Sequence, residues 1–206
     1  MLTTSEIRWF DRGKVPPAIE NWFTVDVLRE NRQTIEERED LYLLIPGCEF
    51  LGVKVRQNRL ETKLRVTEFG ILQLRNDLIG VAEKWIKTTC EDAKLESLIT
   101  PEIVAKGQWV KVEKVRSQIR YLVADDYSLT PASTAETSQE GCNVELTQLI
   151  VNHHPWWSLG FEASGTDDKL ISNLETVAKK LFQTFPELEL NLVNSYAYPK
   201  WLSVFV

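Results

Sequence analysis

The sequence of 206 residues lacks the motifs of several common enzyme and scaffold classes. Its three cysteines are an odd number without CxxC or CxxxC spacing, which argues against a disulfide scaffold or a zinc site. Its only histidines, His153 and His154, are adjacent, so on a strand they would point to opposite faces, and we expect them in a turn before Pro155. Phosphate-loop, GxGxxG, GxSxG and HExxH motifs are absent.

Long apolar runs are also missing. Since no stretch of about 18 apolar residues occurs, we expect no membrane span, and Glu6 and Arg8 interrupt any signal-like start. With the unpaired cysteines this predicts a cytoplasmic protein. The net charge of −6 makes a nucleic acid an unfavourable partner. A content of 43% hydrophobic and 26% charged residues is globular, and we predict one domain over residues 1–206.

The charge is unevenly distributed along the chain. Residues 51–67 contain five cations and one anion, and residues 108–123 contain four cations and one anion. These two segments carry a net charge of +7, so the remainder carries −13. A basic patch in an acidic protein concentrates positive potential locally and indicates a small anionic partner.

Apolar and polar residues alternate in many short segments, which predicts strands. Few helices interrupt them, and their order is not the βαβ alternation of a parallel sheet. We therefore predict an α+β fold, an antiparallel β-barrel (tunnel-like) flanked by helices. Residues 125–143 lack periodicity and are expected to form a mobile loop. Strands are predicted at 4–10, 41–45, 51–56, 60–67, 79–89, 109–123, 144–151, 156–163 and 188–192, and helices at 17–23, 100–107 and 170–181.

The two basic segments place their cations on common strand faces. Such faces are compatible with a solvated outer surface. However, four of the cations are arginines, which suit bidentate contacts with phosphate, and few carboxylates balance them. We therefore predict a site for a polyphosphate, a nucleotide or a similar anion. The candidate anion-binding residues are Lys54, Arg56, Lys63, Arg65, Lys87, Lys114, Arg116 and Arg120.

The polar strand faces carry one carboxylate each, and such a set would suit a hard cation if it converged. The candidate metal ligands are Glu6, Glu61, Glu145 and Glu162. Seven tryptophans scatter through predicted core faces, so we assign them to packing rather than to base stacking.

Several segments resemble the CYTH family, the triphosphate tunnel metalloenzymes. Residues 5–10 (SEIRWF) occupy the place of that family's opening ExExK strand, and Lys54-Val55-Arg56 resembles its Arg-x-Arg strand. Residues 61–65 (ETKLR) resemble its lysine strand, and residues 83–87 (EKWIK) resemble its Trp-Lys strand. Lys114-Val115-Arg116 with Arg120 resembles the later basic strand, and Glu145 and Glu162 resemble the C-terminal acids.

The resemblance implies a tunnel-shaped barrel, triphosphate ligands and magnesium or manganese as cofactor. The sequence departs from the motif because Arg8 and Phe10 replace the second glutamate and the lysine of ExExK, and Ala163 follows Glu162. Three functions stay open: anion binding with degenerate or lost catalysis, metal-dependent triphosphate hydrolysis or phosphoryl transfer, and a protein-interaction module without a small ligand.

Overall fold

The structure is a computed structural model that describes residues 1–29, 35–133 and 140–205, apart from the side chains of residues 96, 98 and 107. The described strands are β1 (Leu2–Arg12), β2 (Glu36–Leu43), β3 (Leu51–Arg56), β4 (Arg59–Arg75), β5 (Leu78–Glu91), β6 (Trp109–Val123), β7 (Leu129–Ala132), β8 (Gly141–Val151) and β9 (His154–Ser164). The described α-helices are α1 (Pro17–Trp22), α2 (Leu95–Leu98), α3 (Pro101–Ile103), α4 (Leu170–Leu181) and α5 (Tyr198–Phe205).

Short π-helical turns follow two of these helices, at Phe23–Leu28 and Val104–Gln108, and 3₁₀ turns lie at Phe182–Thr184 and Leu192–Asn194. None of the helices in the described ranges is long and apolar enough to cross a membrane.

Eight of the strands form a closed antiparallel barrel in the order β2-β3-β4-β5-β1-β9-β8-β6. The barrel closes because β2 pairs with β6 as well as with β3, and the short β7 extends β6 beyond this seam. The predicted α+β barrel flanked by helices is confirmed.

Two of the hairpins close with two-residue turns that suit the twist of the strands. Gln57 and Asn58 join β3 to β4, and Asn152 and His153 join β8 to β9, all with positive φ between 49° and 64°. Two consecutive residues with positive φ form a type I′ turn, which matches the right-handed twist of the flanking strands. His154 is the first residue of β9, and both histidines are exposed.

The main hydrophobic core lies outside the barrel. In β1 the apolar Ile7 and Trp9 face outward, and β9 contributes Leu159 and Phe161 to the same layer. Helix α4 covers this layer with apolar residues at helical spacing. Leu174, Val177 and Ala178 are fully buried there. Since alternate residues of a strand point to opposite faces, the inner face of the same strands is free to carry polar side chains.

A second apolar cluster fills one end of the barrel. It forms where β1 ends and β9 begins, from inward-facing Phe10 and Trp156, and α5 inserts Trp201 against them. The ring of Phe10 stacks on that of Trp201 at 4.9 Å and on that of Tyr196 at 5.6 Å. This end of the barrel is thus packed with aromatic side chains, which leaves the space for a ligand nearer the middle.

Strand β4 is much longer than the predicted segment 60–67. It runs to Arg75, past the end of β3, and its pairing with β5 shifts register three times, after Arg65, Glu68 and Gln73. Such shifts are β-bulges, which bend and twist a strand locally.

Three other segments differ from the sequence-based predictions. Residues 188–192 do not form a strand; Leu190 makes only an isolated bridge to Leu78, at the start of β5 where the pairing with β1 does not reach. Strand β2 begins at Glu36 rather than at residue 41. The expected loop at 125–143 contains β7 and the start of β8, and its residues 134–139 lie outside the described part of the chain.

Candidate functional site

The middle of the barrel contains a cavity of about 120 Å³ whose walls come from all eight barrel strands. Such a volume holds several waters or a small anion. Eight cationic side chains line it, Arg8, Arg38, Lys54, Arg56, Lys63, Lys87, Lys114 and Arg116, against four anionic ones, Glu6, Glu61, Glu145 and Glu162. Tyr198 and Pro199 of α5 complete the wall toward the aromatic end.

Arg8 links two of the carboxylates across the barrel wall. Its Nε donates to Glu6 Oε1 at 2.7 Å, and its Nη1 donates to Glu145 Oε1 at 2.8 Å and to Ser158 Oγ at 3.2 Å. Burial alone would lower the pKa of Arg8, but Glu145 and Glu6 outweigh it and raise this pKa well above its usual value. The guanidinium is therefore a permanent cation inside the cavity.

Gly160 makes the position of Arg8 possible. It pairs with Arg8 on one side and with Glu145 on the other, so it lies between them in the sheet. A Cβ at Gly160 would lie 2.6 Å from Arg8 Cζ and 2.7 Å and 2.9 Å from its two terminal nitrogens. Because real Cβ atoms do not approach this closely, the absent side chain lets the guanidinium cross to Glu145.

Lys63 links the carboxylates of β1 and β9. Its Nζ contacts Glu6 and lies 2.9 Å from Glu162 Oε1, and it stands 5.5 Å from the ring centroid of Trp85. Burial alone would raise the pKa of Glu162, but Lys63 and Lys87 lower it to about 2. Glu162 is thus ionised over the ordinary pH range.

Glu61 lies where β3, β4 and β5 meet. Its carboxylate accepts from Arg56 Nη2 at 2.6 Å and lies 3.1 Å from Lys54 Nζ and 3.4 Å from Lys87 Nζ. Burial opposes the ionised form, but the three cations hold the pKa of Glu61 at about 2. The pKa of Lys54 is lowered to about 7, chiefly by burial and further by Lys114, although Asp40 and Glu61 oppose this.

The opposite wall is formed by β2 and β6. Arg116 contacts Glu36 and donates from Nη1 to Glu145 Oε2 at 3.0 Å. Arg38 contacts the same Glu36 at 2.9 Å and Asp40 at 3.3 Å. Asp40 is fully buried behind the cavity, so it supports the cations without lining the space.

Two tyrosine rings hold Lys114 at the aromatic end of the cavity. The ring of Tyr198 stacks on Tyr42 at 5.4 Å, and Lys114 Nζ lies 3.9 Å from the Tyr198 ring centroid. The same Nζ lies 2.7 Å from the Tyr42 hydroxyl and 2.9 Å from Asp40. Burial, and to a smaller extent the nearby Arg38, lower the pKa of Lys114 to about 8 although Asp40 opposes this.

Some donors at the site have no partner. The Nε atoms of Arg56 and Arg116 and the hydroxyl of Tyr198 are buried, and none of them makes a hydrogen bond to the described residues. A buried donor without a partner is costly, about 1–3 kcal/mol, unless water or a ligand satisfies it. These three donors all belong to residues that line the cavity.

The carboxylates do not form a site that fits a divalent cation. Glu6 and Glu145 are separated by the Arg8 guanidinium, and Glu61 and Glu162 are each held by other cations. Within the described ranges, no group of three His, Cys, Asp or Glu side chains could hold a metal ion. Since magnesium and manganese need several oxygens without an intervening cation, these residues as arranged suit an anion better.

The structure brings most of the sequence-predicted residues together. Six of the eight candidate anion-binding residues line the cavity, as do all four candidate metal ligands. The two exceptions are Arg65 and Arg120. Arg65 shares the face of Lys63 but lies two residues further along β4, beyond the cavity lining, where it contacts Glu83 at 2.5 Å and Glu68 at 2.9 Å.

Arg120 lies on the same strand as Lys114 and Arg116 but does not line the cavity. It is fully buried, and its guanidinium donates to Asn143 Oδ1 at 3.1 Å and to Ser164 Oγ at 2.9 Å. It lies four residues further along β6 than Arg116, where the ends of β8 and β9 cover it.

Sequence reasoning missed several residues of the site, namely Arg8 as a cavity cation, Glu36, Arg38, Asp40, Tyr42 and Tyr198. Glu36, Arg38, Asp40 and Tyr42 share one face of β2, but residues 36–40 are all charged, so the sequence does not distinguish the inner face from the outer one. For Tyr198 no local signal exists, because α5 reaches the cavity only through the tertiary fold.

No protein-family model matches the chain, and no curated protein matches it. Similar solved structures include a conserved hypothetical protein from Pyrococcus furiosus, with 17% sequence identity, a TM-score of 0.44 and coverage of 92% of this chain and 96% of that chain. A protein from Pyrococcus horikoshii OT3 has 17% identity, the same two coverages and a TM-score of 0.43. A second protein from that organism has 11% identity, a TM-score of 0.42 and coverages of 87% and 89%. These descriptions name no ligand or activity.

Proposed function

We propose that the cavity binds a phosphate-rich small anion without requiring a metal ion. The observation that carries this proposal is the excess of positive charge around the cavity, which eight cations and four carboxylates line. Glu36 and Asp40 contact some of these cations from outside the lining, and two positive charges remain unbalanced when both are counted. Burying unbalanced cations is unfavourable, because each loses hydration that its neighbours do not fully replace. A polyvalent anion would supply the missing negative charge.

The free donors support the same ligand class. Arg56 Nε, Arg116 Nε and the Tyr198 hydroxyl belong to residues that line the cavity and have no acceptor among the described residues. Guanidinium groups present planar pairs of N–H donors that match the oxygens of phosphate. An anion placed among them would also raise the lowered pKa values of Lys54 and Lys114, so binding would take up protons near neutral pH.

We further propose that the chain is a divergent member of the CYTH family. The closed antiparallel barrel and its charged interior agree with the tunnel that the sequence resemblance implies. The departures lie in the opening strand, where a carboxylate and a lysine of the motif are replaced. Arg8 bridges two carboxylates, and Phe10 packs in the aromatic end of the barrel instead of presenting a cation.

The two alternative functions make different demands on the site. Metal-dependent hydrolysis of triphosphates needs carboxylates that converge on magnesium or manganese, and the intervening cations do not favour this. An interaction module without a small ligand needs the basic faces to point outward, whereas six of the predicted cations line the cavity. Binding without metal is thus the function that the geometry supports best.

The proposal is tested by thermal unfolding of the chain with sodium tripolyphosphate in excess EDTA. A ligand that binds only the folded state at about 100 times its Kd adds about 2.7 kcal/mol of stability. For a chain of this size that corresponds to a rise in Tm of about 5–10 °C. Sodium chloride at equal ionic strength serves as the reference, because general screening also relieves repulsion among cations.

Variants locate the binding site. Arg56→Ala/Arg116→Ala should lose the tripolyphosphate-dependent rise in Tm. Arg59→Ala is the matched control, since Arg59 lies on β4 but pairs with Glu91 at the surface and does not line the cavity. An unchanged Tm of the wild type across millimolar tripolyphosphate would refute the proposed function.

A further inference from the structure

The place where β3, β4 and β5 meet holds three cations around a single carboxylate. Arg56, Lys54 and Lys87 approach Glu61 at 2.6, 3.1 and 3.4 Å, and Glu61 is almost completely buried. These three cations come from two strands on either side of the strand that bears Glu61. They therefore converge on one point inside the cavity with a local excess of positive charge, which Asp40 reduces because it lies 3.8 Å from Lys54 Nζ.

Glu61 differs in this respect from the other carboxylates. Glu6 and Glu145 each contact two cations and act as bridges between strands, and Glu162 contacts one. Asp40 also contacts three cations, but it does not line the cavity. Among the described residues, Glu61 is thus the one carboxylate that both lines the cavity and is surrounded by three cations.

The chemistry of this cluster suits a terminal phosphoryl group better than it suits a carboxylate. A phosphoryl group carries up to two negative charges and three acceptor oxygens. A carboxylate carries one charge and two oxygens, so it does not balance three cations. Within the described residues neither Arg56 Nε nor Glu61 Oε2 makes a hydrogen bond, so the pairing at this point is incomplete on both sides. A phosphoryl group could satisfy all three cations once the Glu61 side chain has moved aside.

We propose that Lys54, Arg56 and Lys87 form the subsite for a terminal phosphoryl group, and that Glu61 occupies it in the ligand-free chain. Glu61 then acts as an internal competitor, since its carboxylate stands in for the ligand and must be displaced on binding. This inference rests on the proposed function, because it names the part of the cavity that holds the ligand and the residue that limits its affinity.

Calorimetric titration of the full chain with tripolyphosphate, in EDTA, tests this inference. Glu61→Gln keeps the shape of the side chain but removes the charge that holds the cations. Charges about 4 Å apart in a partly buried site interact strongly, so Kd should fall at least about tenfold. Glu113→Gln makes the same change in net charge on the outer face of β6, where Glu113 is exposed, and should change Kd less than about twofold.

A second variant separates the subsite from simple loss of charge. Glu61→Asp keeps the charge but withdraws the carboxylate by one methylene from the three cations, so it should also bind tripolyphosphate more tightly than the wild type, by at least about threefold. If Glu61→Gln does not fold, Glu61→Asp alone still tests the inference.

The outcomes distinguish this inference from the proposed function. If the wild type binds tripolyphosphate and both Glu61 variants bind it equally or more weakly, the internal competitor is refuted and the binding function stands. If no protein of the set binds, the proposed function itself fails. Loss of the folded state in both Glu61 variants would show a structural role and would also overturn the inference. Tighter binding by the folded Glu61 variants, with Glu113→Gln unchanged, supports it.

Discussion

Gly160→Ala should destabilise the chain through Arg8 alone. The backbone of Gly160 does not have a positive φ, so an alanine there causes no backbone strain. The added methyl would instead lie 2.6–2.9 Å from three atoms of the guanidinium. Arg8 must then withdraw from Glu145 and Ser158, with which it makes hydrogen bonds of 2.8 and 3.2 Å.

The size of this effect follows from two contributions. Overpacking a buried site costs about 1–3 kcal/mol, and separating a buried ion pair costs about 3–5 kcal/mol when one partner is lost. Because Glu145 keeps Arg116 at 3.0 Å, the second contribution is only partial. We therefore expect a loss of about 2–4 kcal/mol in the free energy of unfolding.

Urea denaturation measures this loss as a lower midpoint at an unchanged m-value. A double-mutant cycle with Arg8→Met tests whether this loss of stability comes from the Arg8 guanidinium. If it does, Gly160→Ala should cost at least about 1 kcal/mol less when the guanidinium is absent. Gly52→Ala is the matched control within the cavity wall; its Cβ would lie 3.2 Å from Pro199 Cγ and 3.9 Å from two atoms of Lys63, and the substitution should cost less. An equal cost of Gly160→Ala in the wild-type and Arg8→Met backgrounds would refute the reasoning.

Two further predictions concern acid stability and catalysis. Glu61 and Glu162 have pKa values of about 2 in the folded chain, below the value of about 4.3 for an unfolded glutamate, so each should contribute about 3 kcal/mol that is fully present above pH 4.3 and is lost as the pH falls to 2. Urea midpoints measured from pH 6 to pH 2 should fall steeply in that window, and Glu162→Gln should make the fall shallower; an equally steep fall in that variant would contradict the assignment. Phosphate release from tripolyphosphate or ATP with magnesium or manganese should stay at the rate without protein, because Arg8 repels a dication beside Glu6. Metal-dependent turnover that Glu6→Ala abolishes would establish the enzyme hypothesis instead.

The sequence predicted which cations share a strand face, because alternation fixes it, but not that these faces point into the barrel. Once β6 is recognised, Lys114 and Arg116 must share a face, and the bounds of β6 agree with the prediction at both ends. Alternation does not give the depth of a residue along the tunnel. Arg120 shares the face of Arg116, and Arg65 shares the face of Lys63, but both lie further along their strands than the residues that line the cavity.

Strand β2 was partly missed because its polarity does not alternate. Residues 36–40 are all charged, so the outward and inward faces look alike in the sequence. Only the pairing with β6 shows that Arg38 and Asp40 point toward the barrel interior, where Lys114 contacts Asp40. The contribution of Tyr198 depends on how α5 enters the barrel, and no local pattern encodes that contact.

The length of β4 has a consequence for self-association. Beyond β3 this strand pairs with β5 alone among the described residues, so one side of it presents free backbone groups beside the exposed Val66, Phe69 and Ile71. If such an apolar edge were flat, it would be a template on which a second chain could add a strand. The three bulges prevent this, since an edge that bends and twists repeatedly offers no straight row of hydrogen-bonding groups to a partner. The irregular register of β4 thus protects the chain against edge-to-edge aggregation.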